Sequence, residues 1–276
     1  MIAILLSTYN GDKFLDCQIE SIVNQTYQEW ELYIRDDGST DESIKIVNSW
    51  QRIDHRIHLM DDEIFHRGVT DSFMYMLENI QASYYMFCDQ DDYWFPDKIE
   101  QSMILIHEKE LEYSNDFPIL VCTDLTVVDL YLNTIHKSMW KAGHVEHIAL
   151  MPEFIQIASM YPGCTMSFNK KVRNIALSTK VMNGVLHDQH IALSTYHIAR
   201  KIFILQKYSI KYRQHTNNVV GVYCGKHIIL HKLKHICGVL KNNYNYFRIV
   251  HRYIGTSIFV FLRLKYLHLK VYQLKK

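Results

Sequence analysis

The chain has 276 residues, room for one large domain or two small ones, and its 48% hydrophobic and 13% aromatic content excludes a mainly disordered protein. Ten glycines and four prolines exclude a collagenous or linker-rich chain, and six cysteines without a CxxC pair exclude a zinc ribbon or disulfide scaffold and fit a reducing compartment. The net charge of +1 hides a division: all 29 acids lie in residues 1–188 beside 14 Lys and Arg, while residues 189–276 carry the other 16 Lys and Arg and no acid.

Met1 to Leu6 is apolar but lacks the cationic start and the length of a signal peptide, so Ile2–Leu6 reads as a first strand. Further strand-like runs are Glu31–Arg35, Arg56–Met60, Tyr84–Cys88 and Ile119–Thr123. Helix-period segments lie between them: Asp12–Asn24, Asp41–Trp50 with Ser39 or Thr40 as N-cap, Val69–Asn79, and Asp97–Glu112 opened by Pro96. This alternation predicts an α/β fold around a mostly parallel sheet. Beyond residue 145 the period is less regular, and short helices are expected at 147–158, 169–178 and 186–198, then two basic helices in 226–276. Ile254 to Leu264, the most apolar late run, is about half the span a bilayer needs, so no transmembrane helix is expected.

Carboxylates gather where strands should end. Asp36 and Asp37 follow the second strand in DDGSTD; Asp89, Asp91 and Asp92 follow the fourth in CDQDDYW. In an open parallel sheet the carboxyl ends of strands form the ligand crevice, and hard oxygen ligands collected there suit Mg²⁺ or Mn²⁺ bound with substrate phosphates. Asp36-Asp37-Gly38 by itself is equally a turn or a helix cap. The run Asp89-Gln90-Asp91-Asp92 is harder to explain that way, because four polar residues after a buried strand are costly without a ligand.

With these residues in view, the segment LLSTYNGDKFLDCQIESIVNQTYQEWELYIRDDGSTDES (5–43) resembles the opening of family-two glycosyltransferases with a GT-A fold, and CDQDDYWFPDKIE (88–100) resembles their DXD segment. PGCTMSFNK (162–170), HDQH (187–190) and YRQHTNN (212–218) resemble the bacterial polysaccharide branch that includes rhamnosyltransferases. The resemblance covers roughly residues 1–220 and speaks for the family more than for the sugar.

The resemblance implies roles for single residues. Tyr9 would stack on the nucleotide base with Ser7 beside it, and Asp37 would accept a hydrogen bond from a pyrimidine ring nitrogen, a sensible reader of that base. Asp89 and Asp91 match the two DXD acids, Asp91 as direct metal ligand and Asp89 nearer the ribose; the metal would neutralise the departing nucleoside diphosphate. Asp92 and Trp94 also match, Trp94 packing beneath the loop on the acceptor side. Inverting transfer needs a general base, and Asp188, the last acid in the chain, is implied for it; its place at a helix start also suits an N-cap. His187 and His190 lack the further ligands of a zinc protease motif. His215 would reach the diphosphate or complete the metal shell, and Arg213 would pair with phosphate. Gly163, Cys164 and Thr165 match an acceptor-side loop, with Cys164 no nucleophile for want of an activating partner.

The expected organisation is a catalytic domain over 1–225 and a basic helical extension over 226–276. The extension holds 11 Lys and Arg, five His and no acid among apolar residues, which describes helices lying on an anionic membrane surface or, alternatively, packed on the core. No nucleic-acid motif accompanies the charge. The resemblance, together with the cysteine pattern and the basic extension, implies a cytoplasmic enzyme, peripheral on the inner membrane face, moving a sugar from dTDP-rhamnose or a UDP-hexose donor to a lipid-linked saccharide, and capable of forming a homo-oligomer. The competing readings are a nucleotidyltransferase, whose Gly- and Lys/Arg-rich loop after the first strand is missing here, and a catalytically silent carbohydrate-binding scaffold.

Overall fold

The computed structural model describes residues 1–62, 64–114, 116–215 and 236–274, with side chains everywhere except 236–240 and 272–274. The first half alternates as expected: β1 (Ile2–Thr8), α1 (Asp12–Val23), β2 (Trp30–Asp36), α2 (Ser43–Ile53), β3 (Ile57–Leu59), α3 (Val69–Asn79) and β4 (Tyr84–Asp89). Then come β5 (Tyr93–Trp94), α4 (Lys98–Tyr113), β6 (Leu120–Val128), β7 (Thr134–His136), α5 (Met139–Ala142) and α6 (Glu146–Ala149). Two 3₁₀ turns, Pro152–Gln156 and Gly163–Thr165, lead into β8 (Met166–Asn169), α7 (Lys170–Ser178), α8 (His187–Ala199) and β9 (Phe203–Arg213). The described chain closes with α9 (Ile236–Ile254) and α10 (Ile258–Leu274).

The strands form one sheet in the order β3-β2-β1-β4-β8-β6-β9-β5, with β7 on the flank of β6. β3, β2, β1 and β4 are parallel, β8 is antiparallel to both β4 and β6, and β9 runs parallel to β6. The apolar run of β1 is buried on both faces, as a central parallel strand requires. Ile2, Ile4 and Leu6 pack with Leu15, Ile19 and Ile22 of α1, Val47 of α2 and Ile99 and Met103 of α4. Ala3 and Leu5 face the other way, toward Phe73 and Met76 of α3, Val172 of α7, Ile191 of α8, Val250 of α9 and Phe261 of α10. Two helical layers therefore sandwich the sheet, and the C-terminal helices belong to one of them.

The structure alters several expectations. Neither Ser39 nor Thr40 caps α2; the N-cap position belongs to Glu42, whose side chain makes no cap bond, and Asp41 before it accepts from the N–H of Ser43 (3.0 Å) and from that of Asp12 at the start of α1 (3.0 Å). The helix expected over 147–158 is broken into α6 and a 3₁₀ turn, because Pro152 cannot donate to a continuing helix. Tyr212 and Arg213 of the YRQHTNN motif end β9, which lies within the sheet. Residues 216–235, which hold Thr216-Asn217-Asn218 of the YRQHTNN motif and the expected start of the basic helices, lie outside the described residues.

Candidate active site

Register brings the strand ends together: Thr8 lies opposite Asp36 and Ser7 opposite Asp89. Over these ends opens a cleft of about 970 Å³, and Ser7, Tyr9, Asp37, Asp89, Asp91, Gly163, Asp188 and His215 all line it. Acids expected to act together thus meet in one place, as the topology of an open α/β sheet dictates.

On the β1–β2 side, the loop after β1 is fixed by a residue that the sequence reading passed over. Gln90 accepts from the Thr8 hydroxyl (2.7 Å) and the Tyr9 N–H (2.8 Å), and donates back to the Tyr9 carbonyl (3.2 Å). Asn10 adopts a left-handed φ of 48° and accepts from the Thr40 N–H at 2.9 Å. The Tyr9 ring stays 49% exposed at the cleft mouth, with His66 edge-on at 5.7 Å. Asp36 makes the turn, accepting from the N–H groups of Gly38 and Ser39, while Asp37 faces the cleft. Asp37 receives Arg35 (2.8 Å) and the N–H groups of Arg67 (2.8 Å) and Gly68 (2.9 Å). Burial alone would push its pKa up, but these hydrogen bonds outweigh it and hold the carboxyl below its ordinary value.

At the β4 end, burial and the neighbouring charges of Asp91 and Asp188 raise the Asp89 pKa to about 7. Asp92, fully buried, is raised well above the ordinary range by burial, then by Asp91 and Asp89. The Asp91 carboxylate meets His215 Nε2 at 2.7 Å, and the His215 ring stacks on Phe14 at 5.2 Å. Ligand atoms of Asp89, Asp92 and Cys164 lie within 4.8 Å of one another. Buried carboxylates set this close to other acids, with an imidazole beside them, fit a Mg²⁺ or Mn²⁺ ion, whose charge relieves the repulsion. Beneath them sits a second residue missed in the sequence, Lys98. Its ammonium is 1% exposed, donates to the Cys164 carbonyl at 3.1 Å and lies 4.5 Å from the centre of the Trp94 ring. Burial lowers its pKa to about 8.

Four of the expected site residues do not line the cleft, Trp94 lying beneath the loop as expected. Arg213 does not line the cleft: its guanidinium donates to the carbonyls of Asp91 (2.8 Å) and Leu130 and lies 4.6 Å over the Phe14 ring, so it braces the loop that carries Asp91. Trp94 is fully buried in the core, beneath the loop. Cys164 and Thr165 are also fully buried, the Thr165 hydroxyl donating to the Pro162 carbonyl at 2.7 Å. Only Gly163 of that triplet borders the cleft, and a Cβ there would lie 2.6 Å from His187 Nε2 and 3.4 Å from Asp188 Cβ.

Asp188 is the second residue of α8, whose N-cap position belongs to Leu186, so its carboxyl is not the cap. Burial raises its pKa to about 6 against the opposing pull of the Gln189 and Gly163 N–H groups. His190 turns into the core, its ring nitrogens engaged by the Tyr253 hydroxyl (2.7 Å) and the Ala176 carbonyl (2.9 Å), so it does not pair with His187 on a metal.

Residues 3–119 match the sequence profile of Glycosyl transferase family 2. The chain is 27% identical over 227 residues to the dTDP-rhamnosyl transferase RfbG of Shigella flexneri, covering 78% of this chain and 73% of that protein. It is 30% identical over 117 residues to the UDP-Glc:alpha-D-GlcNAc-diphosphoundecaprenol beta-1,3-glucosyltransferase WfgD of Escherichia coli, covering 42% and 45%. The chain spans about half the length of several curated relatives that it matches. In fold it is similar to the mannosyltransferase PcManGT of Pyrobaculum calidifontis, solved with GDP-Man and Mn²⁺: TM-score 0.60 at 13% identity, over 98% of this chain and 74% of that one. Over residues 3–119 the chain is thus similar to Glycosyl transferase family 2, and the shared architecture shows a GT-A fold.

Proposed function

We propose that the chain transfers a sugar, with inversion, from a pyrimidine nucleotide sugar, dTDP-rhamnose or a UDP-hexose, to a lipid-linked saccharide in bacterial surface-polysaccharide synthesis. The observation that carries the reading is the convergence of Asp37, Asp89, Asp91 and Asp188 on one cleft, with Asp188 raised to about 6, in the range a base needs near neutral pH. The donors and the diphosphoundecaprenol acceptor in the names of RfbG and WfgD support the substrate classes.

In this reading Tyr9 offers its open ring to the base, and Asp37 keeps lone-pair capacity for a pyrimidine N–H. Ser7 and Asp89 flank the ribose. Asp91 and His215, with Asp89 beside them, would hold Mg²⁺ or Mn²⁺. That ion, when bound, stabilises charge on the leaving diphosphate. Asp188 takes the proton of the acceptor hydroxyl as its oxygen bonds the anomeric carbon and the bond to the diphosphate breaks on the opposite face. Gly163 leaves space for the acceptor beside Asp188.

We read residues 1–225 as the catalytic unit and 226–276 as an extension, whose described helices α9 and α10 pack through Val250, Tyr253, Phe261 and Leu264. Among the described residues no helix is long and apolar enough to cross a membrane. The outer side of α10 nevertheless exposes Phe259 (81%), Leu262 (56%), Tyr266 (64%) and Leu269 (57%), spaced as one helical face. We read that face, with the acid-free charge around it, as the contact to an anionic bilayer at the cytoplasmic side, where a lipid-linked acceptor resides.

A donor panel scored by nucleoside diphosphate release tests the function. Release from dTDP-rhamnose or a UDP-hexose that stops in EDTA is expected; a chain that releases nothing from any donor refutes the transferase reading, and release unaffected by EDTA refutes the metal. Sedimentation with phosphatidylglycerol vesicles tests the surface. Binding that weakens with salt and with Phe259→Ser/Leu262→Ser is expected, and a protein that stays in the supernatant at low salt refutes it.

A further inference from the structure

His187 is used by none of these steps, yet it borders the cleft. The residue is 5% exposed, and neither ring nitrogen has a hydrogen-bond partner. Such a group is unusual, because a buried polar atom left open costs stability unless something meets it. The ring is firmly placed: it stacks on Phe73 at 4.1 Å and 26°, and meets Phe87 edge-on at 5.0 Å. Nε2 points at the one site of the 163–165 turn without a side chain, since a Cβ on Gly163 would come within 2.6 Å of it. Burial, with a smaller push from His190, lowers its pKa to about 3, so the ring is neutral in the working range and carries one N–H donor and one acceptor nitrogen.

We propose that His187 is an acceptor-binding residue, whose imidazole hydrogen-bonds a saccharide hydroxyl next to the one that attacks through Asp188. The inference rests on the transferase reading above and adds the group that orients the incoming sugar. A vicinal pair of hydroxyls fits adjacent residues at the start of α8, one presented to a carboxylate and its neighbour to a ring that both gives and accepts. A neutral partner suits an uncharged sugar, and the two phenylalanines exclude the water that would otherwise compete. The open nitrogens then act in specificity: an acceptor lacking the neighbouring hydroxyl leaves them unmet and is disfavoured.

The test compares wild type, His187→Leu and His187→Gln with methyl glycosides of glucose, N-acetylglucosamine, galactose and rhamnose as free acceptor probes. Nucleoside diphosphate release from UDP-glucose and dTDP-rhamnose is followed at saturating Mg²⁺. For the glycoside that stimulates wild type, His187→Leu should raise the half-saturating concentration about tenfold, the value of one hydrogen bond, and His187→Gln should recover most of it. UDP affinity and melting temperature should stay near wild type in both. Unchanged acceptor saturation in His187→Leu overturns the proposal, as does a matching loss of UDP affinity, which would place the ring on the donor. If no glycoside stimulates wild type, the acceptor class above fails instead. The ring ¹⁵N signals of His187, recorded with UDP, Mg²⁺ and each glycoside, then decide the inference, and signals that never move overturn it.

Discussion

The two walls of the cleft handle their polar groups in opposite ways. On the wall proposed for the donor, built by the strand ends of residues 1–119, side chains are bound within the protein before any ligand arrives: Asp37 accepts from three donors, Asp36 from two, and Asn10 is tied to Thr40. On the wall proposed for the acceptor, built by Gly163 and the start of α8, the His187 ring has no hydrogen-bond partner and Asp188 is met by backbone N–H groups. A wall whose side chains are largely pre-bonded presents nearly the same shape to every nucleotide sugar with the right base, whereas a wall with an unpartnered ring discriminates among the hydroxyls that approach it. Under the proposed function, the difference would place donor-class recognition in the first half of the chain and acceptor choice in the second.

The comparison can be broken by mutation, beginning with the largest effect. Asp91→Ala should reduce transfer to background and abolish the metal-dependent part of nucleotide binding by calorimetry; wild-type-like turnover would show that the donor wall needs no ion. Asp188→Asn should lower transfer roughly 10²- to 10⁴-fold while UDP affinity stays put. A parallel loss of UDP affinity would mean that the two walls are not separable. Gly163→Ala should cut transfer roughly 10- to 100-fold, because the added methyl forces His187 and the first turn of α8 aside, and small displacements of reacting groups are costly. Its UDP affinity should again be spared.

The pH dependence sharpens the same contrast. With Asp188 at about 6, kcat/KM should be flat above pH 7 and fall about tenfold per unit well below 6, and Asp188→Asn should lose that limb. Stability should move the other way. A carboxyl whose folded pKa lies above its unfolded value binds more protons when folded, so Asp188 and Asp89 weaken the fold as pH rises from about 4 through 6 to 7. Metal-free Asp188→Asn should therefore melt above wild type at pH 8, and a lower melting point there would contradict the buried-carboxylate account.

Much of the donor wall was legible in the sequence because its chemistry is local. α3 spans the expected residues 69–79, and Asp36 and Asp89 are the last residues of their strands with the remaining acids just beyond, so strand ends and candidate ligands could be read together. β6 runs five residues beyond its expected end because Asp124 sits buried inside it, met by the Ser138 hydroxyl and the Trp140 N–H; a partner 14 residues away leaves no local mark. Arg213 misled for a similar reason. An arginine beside a motif reads as a phosphate ligand, but this one is drawn to two backbone carbonyls from distant segments. Gln90 and Lys98 act through residues about 80 and 66 positions away, and only folding reveals the meeting. His187 was visible in the motif, and what makes it interesting, a pair of nitrogens with nothing to bind, is a property of the packed structure alone.

The grip of Gln90 on Tyr9 has a thermodynamic side. Both main-chain groups of Tyr9 are held by one amide, and Asn10 is fixed in a conformation that non-glycine residues seldom visit. Ordering a residue's backbone costs about 1–2 kcal/mol in lost conformational entropy, and here that loss is incurred when the protein folds. A nucleobase arriving at the Tyr9 ring meets a loop with little freedom left to surrender. Gln90→Ala should leave every ring contact available and still weaken UDP binding several-fold, with a less favourable binding entropy by calorimetry as its mark.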